Sequence, residues 1–94
     1  MYSRVTQFKG NPEKLAELEA RVDGIKDHMS GVDGMIASYA CWNGDASGVT
    51  MTVYESEEAA NAATPHVQQI WAGLADLLIA PPEISSYATV EKMA

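Results

Sequence analysis

The central segment MIASYACWNGDASGVTMTVY, residues 35–54, consists of two apolar runs separated by a cluster of turn-forming residues. Met35–Trp42 and Val49–Tyr54 each have the length of a strand, and the second run is rich in β-branched side chains. The cluster between them, residues 43–48, contains two glycines together with Asn, Asp and Ser, all of which favour tight turns. The segment therefore predicts a β-hairpin.

The residues before the hairpin predict a strand followed by a helix. Tyr2–Phe8 contains β-branched and aromatic side chains, which favour a strand. Asn11 is a good helix N-cap, and Pro12 suits the first helical position because its φ is already fixed. Apolar residues then follow at spacings of three and four, which indicates an amphipathic helix of about eighteen residues: Leu15, Leu18, Val22, Ile25 and Met29.

The residues after the hairpin predict two further helical pieces and a last strand. Ser56 is expected to cap a short helix that Pro65 interrupts, and Thr64 is expected to cap a second helix with Pro65 at its first position. Pro81-Pro82 ends that helix, and Ile84–Val90 is the last strand.

The resulting order of elements, β-α-β-β-α-β, is typical of an α+β, ferredoxin-like domain. It predicts one domain over residues 1–94, with a four-stranded antiparallel sheet and both helices on one face.

The two strands of the hairpin are apolar on both faces, which predicts a homodimer. In the second strand, Met35, Ala37, Tyr39 and Cys41 are expected on one face, and neither face of the hairpin alternates to charged residues. A sheet with one solvated face should show that alternation. Because the helices cover one face only, an identical chain is expected to cover the other.

Composition narrows the possible partners. The 94 residues carry a net charge of −7 and no basic stripe, so we expect neither a nucleic-acid nor an anionic membrane partner. Cys41 is the only cysteine, which excludes an intrachain disulfide and suggests a buried thiol. No carboxylate lies at ligand spacing from the two histidines, so no metal site is expected. We expect a cytoplasmic protein, because no signal peptide or membrane-spanning run is visible.

The order of elements, the length and several short motifs resemble the dimeric α/β-barrel superfamily. Within it, the chain is most similar to the antibiotic biosynthesis monooxygenase type. The motifs are Arg4, Lys9-Gly10, the Asp33-Gly34-Met35 entry to the second strand, and Val53–Ala59. The resemblance implies a dimer without a resident cofactor that acts on an aromatic, polyketide-like substrate. Other members of the superfamily degrade haem, and some have no known activity.

The residues that carry chemistry in those relatives have different counterparts here. Where haem-degrading members have Asn, Trp and His, this chain has Ser3, Ala63 and either Gly73 or Leu74. The Asn and Trp pair of the polyketide oxygenases corresponds to Ala59 and Ala63. Haem degradation is therefore not expected, and the family's chemistry does not transfer residue by residue.

His66 is the candidate catalytic residue. It lies near the start of the predicted last helix, beside the apolar stripe, where the helix dipole favours a neutral imidazole. Such a ring next to an apolar cleft suits a general base. The alternative is a capping or surface histidine.

The candidate ligand-binding residues are aromatic or carry hydroxyls. Trp71 is expected to form part of a pocket for a planar ligand, and Ser3, Tyr39 and Tyr54 offer hydroxyl groups to it. The alternative is that these side chains are ordinary packing residues.

Two functional hypotheses remain at this point. One is a cofactor-independent monooxygenase that binds an aromatic compound in an apolar cleft. The other is a non-catalytic binder of an apolar metabolite, or an accessory homodimer. An open cleft with His66 on its wall favours the enzyme, and a cleft filled by Trp71, Leu74 and methionines favours a structural role.

Overall fold

Four strands and two helices form the fold in a computed structural model that describes all 94 residues. The order along the chain is β1 (Tyr2–Lys9), α1 (Leu15–Met29), β2 (Met35–Trp42), β3 (Ser47–Tyr54), α2 (Glu57–Ala72) and β4 (Glu83–Tyr87). The sheet has the order β2-β3-β1-β4, and every neighbouring pair is antiparallel. Both helices cover the same face, so the predicted ferredoxin-like α+β fold is confirmed. Neither helix combines the length and the apolar composition that a membrane span requires.

The predicted hairpin is formed by β2 and β3. Its turn is closed by hydrogen bonds from the Asn43 N–H to the Ser47 carbonyl (3.0 Å) and from the Ser47 N–H to the Asp45 carboxylate (3.0 Å). These bonds start β3 at Ser47, two residues earlier than the sequence predicts. Gly48 is required at this point, because a Cβ there would lie 1.9 Å from the Cys41 carbonyl oxygen.

A β-bulge at the start of β2 changes which residues share a face. Met35 pairs with Tyr54 and Ala37 pairs with Val53, so Ile36 is an extra residue between them. Because of this insertion, Met35 packs under α2, whereas Ala37 lies on the opposite face. The expectation that Met35 and Ala37 share one face is wrong for this reason.

α2 is one continuous helix, and the prediction that Pro65 interrupts it is wrong. Ser56 caps it as predicted, since its hydroxyl accepts a hydrogen bond from the Ala59 N–H at 3.1 Å. Thr64 is not a cap: its hydroxyl donates to the Ala60 carbonyl at 3.0 Å, within the helix. Arg4 also binds this turn, so contacts from the sheet support the helix where proline removes a backbone donor.

The other element ends lie close to their predictions. Asn11 caps a single 3₁₀ turn, Pro12–Lys14, that leads directly into α1. A second 3₁₀ turn, Ala75–Leu77, follows α2. β4 pairs with β1 only over Glu83–Tyr87, so the last strand is shorter than the predicted Ile84–Val90.

The face of the sheet turned away from the helices is open. Tyr39 is 72% exposed and Tyr87 is 51% exposed, with Met51 between them on β3 at 37%. Cys41 lies on this face and is also exposed, so the expectation of a buried thiol is wrong. Its strand face has no helix above it, which is the physical reason for the difference.

Gly34 and Gly24 provide a matched pair of tests of the packing. Gly34 has a φ of +77° and a Cβ there would lie 2.5 Å from the Ala59 side chain, whereas Gly24 has open space around it in α1. We expect Gly34→Ala to destabilise the fold by about 2 kcal/mol or more. Gly24→Ala should stabilise it by about 0.5–1 kcal/mol. Urea unfolding checks both, and equal effects of the two changes would contradict the described junction.

Candidate functional site

A cavity of about 690 Å³ lies between the helices and the sheet. Two small cores close its ends: one contains Phe8, Leu18 and Leu77, and the other contains Tyr54 and Ala60. α1 makes few close approaches to the sheet along the rest of its length, so the space between them stays open. The apolar walls come from both helices and from β1, with these principal residues: Phe8, Val22, Ile25, Ile70, Trp71 and Leu74.

The floor of the cavity is made of short polar side chains. Thr6, Thr50, Thr52 and Ser38 lie on the helix-facing side of the three strands β1–β3. Threonine suits a strand because of its branched Cβ, yet it fills less space than the large side chains of an ordinary core. The Ser38 and Thr52 hydroxyls share a hydrogen bond of 2.9 Å. The floor therefore offers hydroxyl groups beneath apolar walls.

Arg4 forms the polar end of the cavity. Its Nη1 donates to the Ala60 carbonyl (3.1 Å) and to the Thr64 hydroxyl (2.5 Å), and its Nη2 donates to Asn61 Oδ1 (2.8 Å). Its guanidinium also lies 5.8 Å from the centre of the Tyr2 ring. All these partners are neutral, so Arg4 brings an uncompensated positive charge to this end.

Tyr54 lines the cavity near Arg4 and is almost fully buried. Burial raises the pKa of its hydroxyl above the ordinary value, and the positive charge of Arg4 opposes that shift to a smaller extent. The hydroxyl is therefore neutral at physiological pH and is able to donate a hydrogen bond to a ligand.

A separate groove of about 480 Å³ runs along the outside, between α1 and α2. His66 lies there with its Nε2 2.9 Å from the carbonyl oxygen of His28. Farther along, Arg21 donates to Asp76 and to the Gly73 carbonyl. The hydrogen bond from Arg21 holds the pKa of the Asp76 carboxyl below its ordinary value. These contacts tie α1 to α2 and the turn after it.

The structure brings together only some of the residues proposed from the sequence. Trp71 and Tyr54 line the cavity, and the Trp71 ring packs at 5.8 Å from the Phe8 ring with a tilt of 49°. Tyr39 borders the cavity on the edge strand, but its pairing with Met51 aligns it with the open face. Ser3 is buried outside the cavity, between its strand neighbours Val53 and Tyr87.

His66 does not line the cavity. It belongs to the outer groove, and three aliphatic side chains that border both spaces stand between the two: Ile25, Ile70 and Leu74. On α2, His66 lies on the same side as Gln69, three residues on, which also lines the outer groove, whereas Val67 and Trp71 lie on the side that faces the cavity. The cavity-lining residues include no Asp, Glu, His or Cys.

Sequence reasoning missed the residues at the polar end, namely Arg4, Asn61 and Thr64. The alternation of β1 contained a signal for the first of them. Tyr2, Arg4, Thr6 and Phe8 are alternate residues of one strand, so the two aromatic residues predict that Arg4 shares their buried face. No three His, Cys, Asp or Glu side chains converge where a metal ion would be held.

The fold and the cavity define an α+β ferredoxin-like protein with space for a small ligand between its layers. Residues 1–72 match the model of the antibiotic biosynthesis monooxygenase family. The chain belongs to this family, as the resemblance in its sequence implies. A search of curated protein sequences found no match.

Solved structures agree with this fold along nearly the whole chain. A protein from Nitrosomonas europaea that bears the family's name superposes with a TM-score of 0.82 at 15% identity, over 97% of this chain and 100% of that one. SnoaB from Streptomyces nogalater, a cofactor-independent oxygenase, gives 0.77 at 17% identity, over 98% and 95%. The monooxygenase ActVA-Orf6 from Streptomyces coelicolor, in complex with nanaomycin D, gives 0.75 at 20% identity, over 99% and 90%. At these identities the likeness shows the fold alone.

Trp71→Ala and His66→Ala should show whether a ligand binds in the cavity or in the outer groove. Trp71 is half-buried, so its truncation should cost about 2–3 kcal/mol of stability and should weaken binding of an aromatic probe in the cavity. His66→Ala removes one exposed hydrogen bond and should cost less than about 1 kcal/mol without changing probe affinity. Urea unfolding and a probe titration measure both quantities. Loss of binding in His66→Ala alone would place the ligand in the outer groove.

Proposed function

We propose that the protein binds a planar aromatic compound in the cavity and oxygenates it without a resident cofactor. The observation that carries the proposal is the open, apolar cavity, whose volume of about 690 Å³ lies within the range of small-molecule sites. Its aromatic wall, Phe8 and Trp71, suits a flat ring system, and the threonine hydroxyls beneath suit ring oxygens. Membership of the antibiotic biosynthesis monooxygenase family supports the reaction class.

The chain's own residues contribute binding, orientation and charge. An anthrone or an activated phenol reacts with dioxygen through its anion, which gives up an electron and then forms a carbon–oxygen bond. Arg4 and the Tyr54 hydroxyl would stabilise the developing oxyanion at the polar end, where partial desolvation strengthens the interaction. Oxidation of an anthrone to an anthraquinone consumes one dioxygen and releases one water.

In the proposed reaction, His66 takes no direct part in proton transfer. Ile25, Ile70 and Leu74 separate it from the cavity, and a general base must come within hydrogen-bond reach of the proton that it removes. The substrate would therefore have to be acidic enough to ionise beside Arg4.

Oxygen uptake with anthrone tests the proposal. The wild-type protein should accelerate dioxygen consumption and form anthraquinone in equal amount. Thr50→Phe places a ring on the cavity floor and should abolish the acceleration, whereas Thr50→Ser keeps the hydroxyl without added volume and should retain most of it. An oxygen electrode and product chromatography measure both. Equal rates for the two variants would contradict turnover in this cavity.

A second candidate function is non-catalytic binding of an aromatic metabolite in the same cavity. The absence of Asp, Glu, His and Cys from the lining residues favours it, because those residues are the usual acid–base groups. Tight binding of an aromatic probe without any dioxygen consumption would select this function over the oxygenase.

We also propose that the open sheet face forms a homodimer with a second copy. The exposed apolar residues Tyr39, Met51 and Tyr87 lie on three of the four strands of that face, where water would otherwise cover them. Light scattering should give twice the chain mass. Met51→Glu should yield monomers, and Met93→Glu, at a 91% exposed residue outside the sheet, should leave the dimer intact. A wild-type monomer in dilute solution would contradict this assembly.

A further inference from the structure

The protein is acidic overall, yet Arg4, a partly buried cation, has no anionic partner. The chain carries thirteen acidic residues, yet its two salt bridges are Arg21–Asp76 and Lys26–Asp23. Arg4 instead contacts a backbone carbonyl, a hydroxyl and a side-chain amide, all neutral. A partly buried cation is most stable when an anion shares its site.

From this arrangement we infer that Arg4 recognises an anionic oxygen and that the cavity selects an aromatic carboxylate over the neutral form of the same ring. The inference rests on the proposed function, since it assumes that an aromatic ligand occupies the cavity. It adds a specificity determinant and a substrate class to that function.

The remaining hydrogen-bond capacity of Arg4 fits this role. A guanidinium has five N–H donors, and α2 uses both on Nη1 and one on Nη2. The Nε–H and one Nη2–H remain for a ligand, and charge-assisted bonds from arginine to carboxylate are among the strongest in proteins. The contacts to α2 also fix the guanidinium in place, so little conformational entropy is lost when a ligand binds.

The surroundings of Arg4 favour an anion for two further reasons. The only charged residues that line the cavity are Arg4 and Lys26, both cations, and the Lys26 side chain is 72% exposed and paired with Asp23. Tyr54 adds a neutral hydroxyl on the cavity wall near Arg4. A carboxylate at this end would meet a positive charge and a neutral donor, with no opposing carboxylate on the cavity wall.

Two probes with one ring system test the inference on the unaltered protein. Anthracene-9-carboxylate and the neutral 9-anthracenemethanol have similar ring size, and their binding is measured by tryptophan fluorescence and calorimetry. We expect the wild-type protein to bind the carboxylate about tenfold or more tightly than the alcohol. Raised salt should narrow that difference.

Asn61→Asp tests whether Arg4 is the cause. The change keeps the size of the side chain and places a carboxylate about where Asn61 Oδ1 lies, 2.8 Å from Arg4 Nη2. It neutralises the site while Arg4 stays in place, so the preference for the carboxylate over the alcohol should disappear. Gln69→Glu is the matched control: it adds the same charge to the same helix, but in the outer groove, and should preserve the preference.

The possible results of these binding experiments test the role of Arg4 and the proposed aromatic site independently. Equal affinity of the wild-type protein for the two probes would overturn the inference and leave the proposed aromatic site standing. Failure of both probes to bind would overturn both. If the preference for the carboxylate survives Asn61→Asp, Arg4 does not provide that preference. The same conclusion follows if Gln69→Glu abolishes the preference as fully as Asn61→Asp does. Arg4→Gln, tested after circular dichroism shows that it folds, should reproduce the effect of Asn61→Asp.

Discussion

The structure depends on the short side chains at the centre of the sheet, which do not fill the space beneath the helices. The helix-facing positions at the centre of the sheet hold threonine and serine, whereas close packing of a helix on a sheet needs large apolar side chains there. Leu18, with Phe8 and Leu77, anchors one end of the helix layer, and Arg4 fixes α2 at the other. Between these supports the layers stay apart, and the cavity is the result.

The small number of large core residues also explains why the two sheet faces differ in character. The helix-facing side combines hydroxyls, one cation and apolar walls, which is a suitable surface for a small amphiphilic ligand. The other side presents the exposed side chains of Tyr39, Met51 and Tyr87, which suit the proposed contact with a second copy. Since a 94-residue chain buries a modest core, dimerisation would add apolar burial that one chain lacks.

The sequence predicted the fold well because its signals were local. The turn cluster 43–48, the Asn11 cap and the spacing of the apolar residues of α1 each predicted one element. Predictions failed where a distant contact overrode the local signal. Pro65 indicated a helix break, but Arg4, sixty-one residues away in the chain, supports the turn that contains it. His66 was misplaced because it lies with Gln69 on the side of α2 that lines the outer groove, and a one-residue bulge at Ile36 put Met35 on the unexpected face.

The proposed ligand site is the space between the helices and the sheet. The most direct measurement is methyl NMR of the protein with bound anthracene-9-carboxylate. We predict ring-current shifts of the methyl groups of Val22, Thr50 and Ile70, which line the cavity, and no comparable shifts of Val49 and Val53, which lie on the open face. Shifts confined to Val49 and Val53 would place the ligand on the open face and contradict the account.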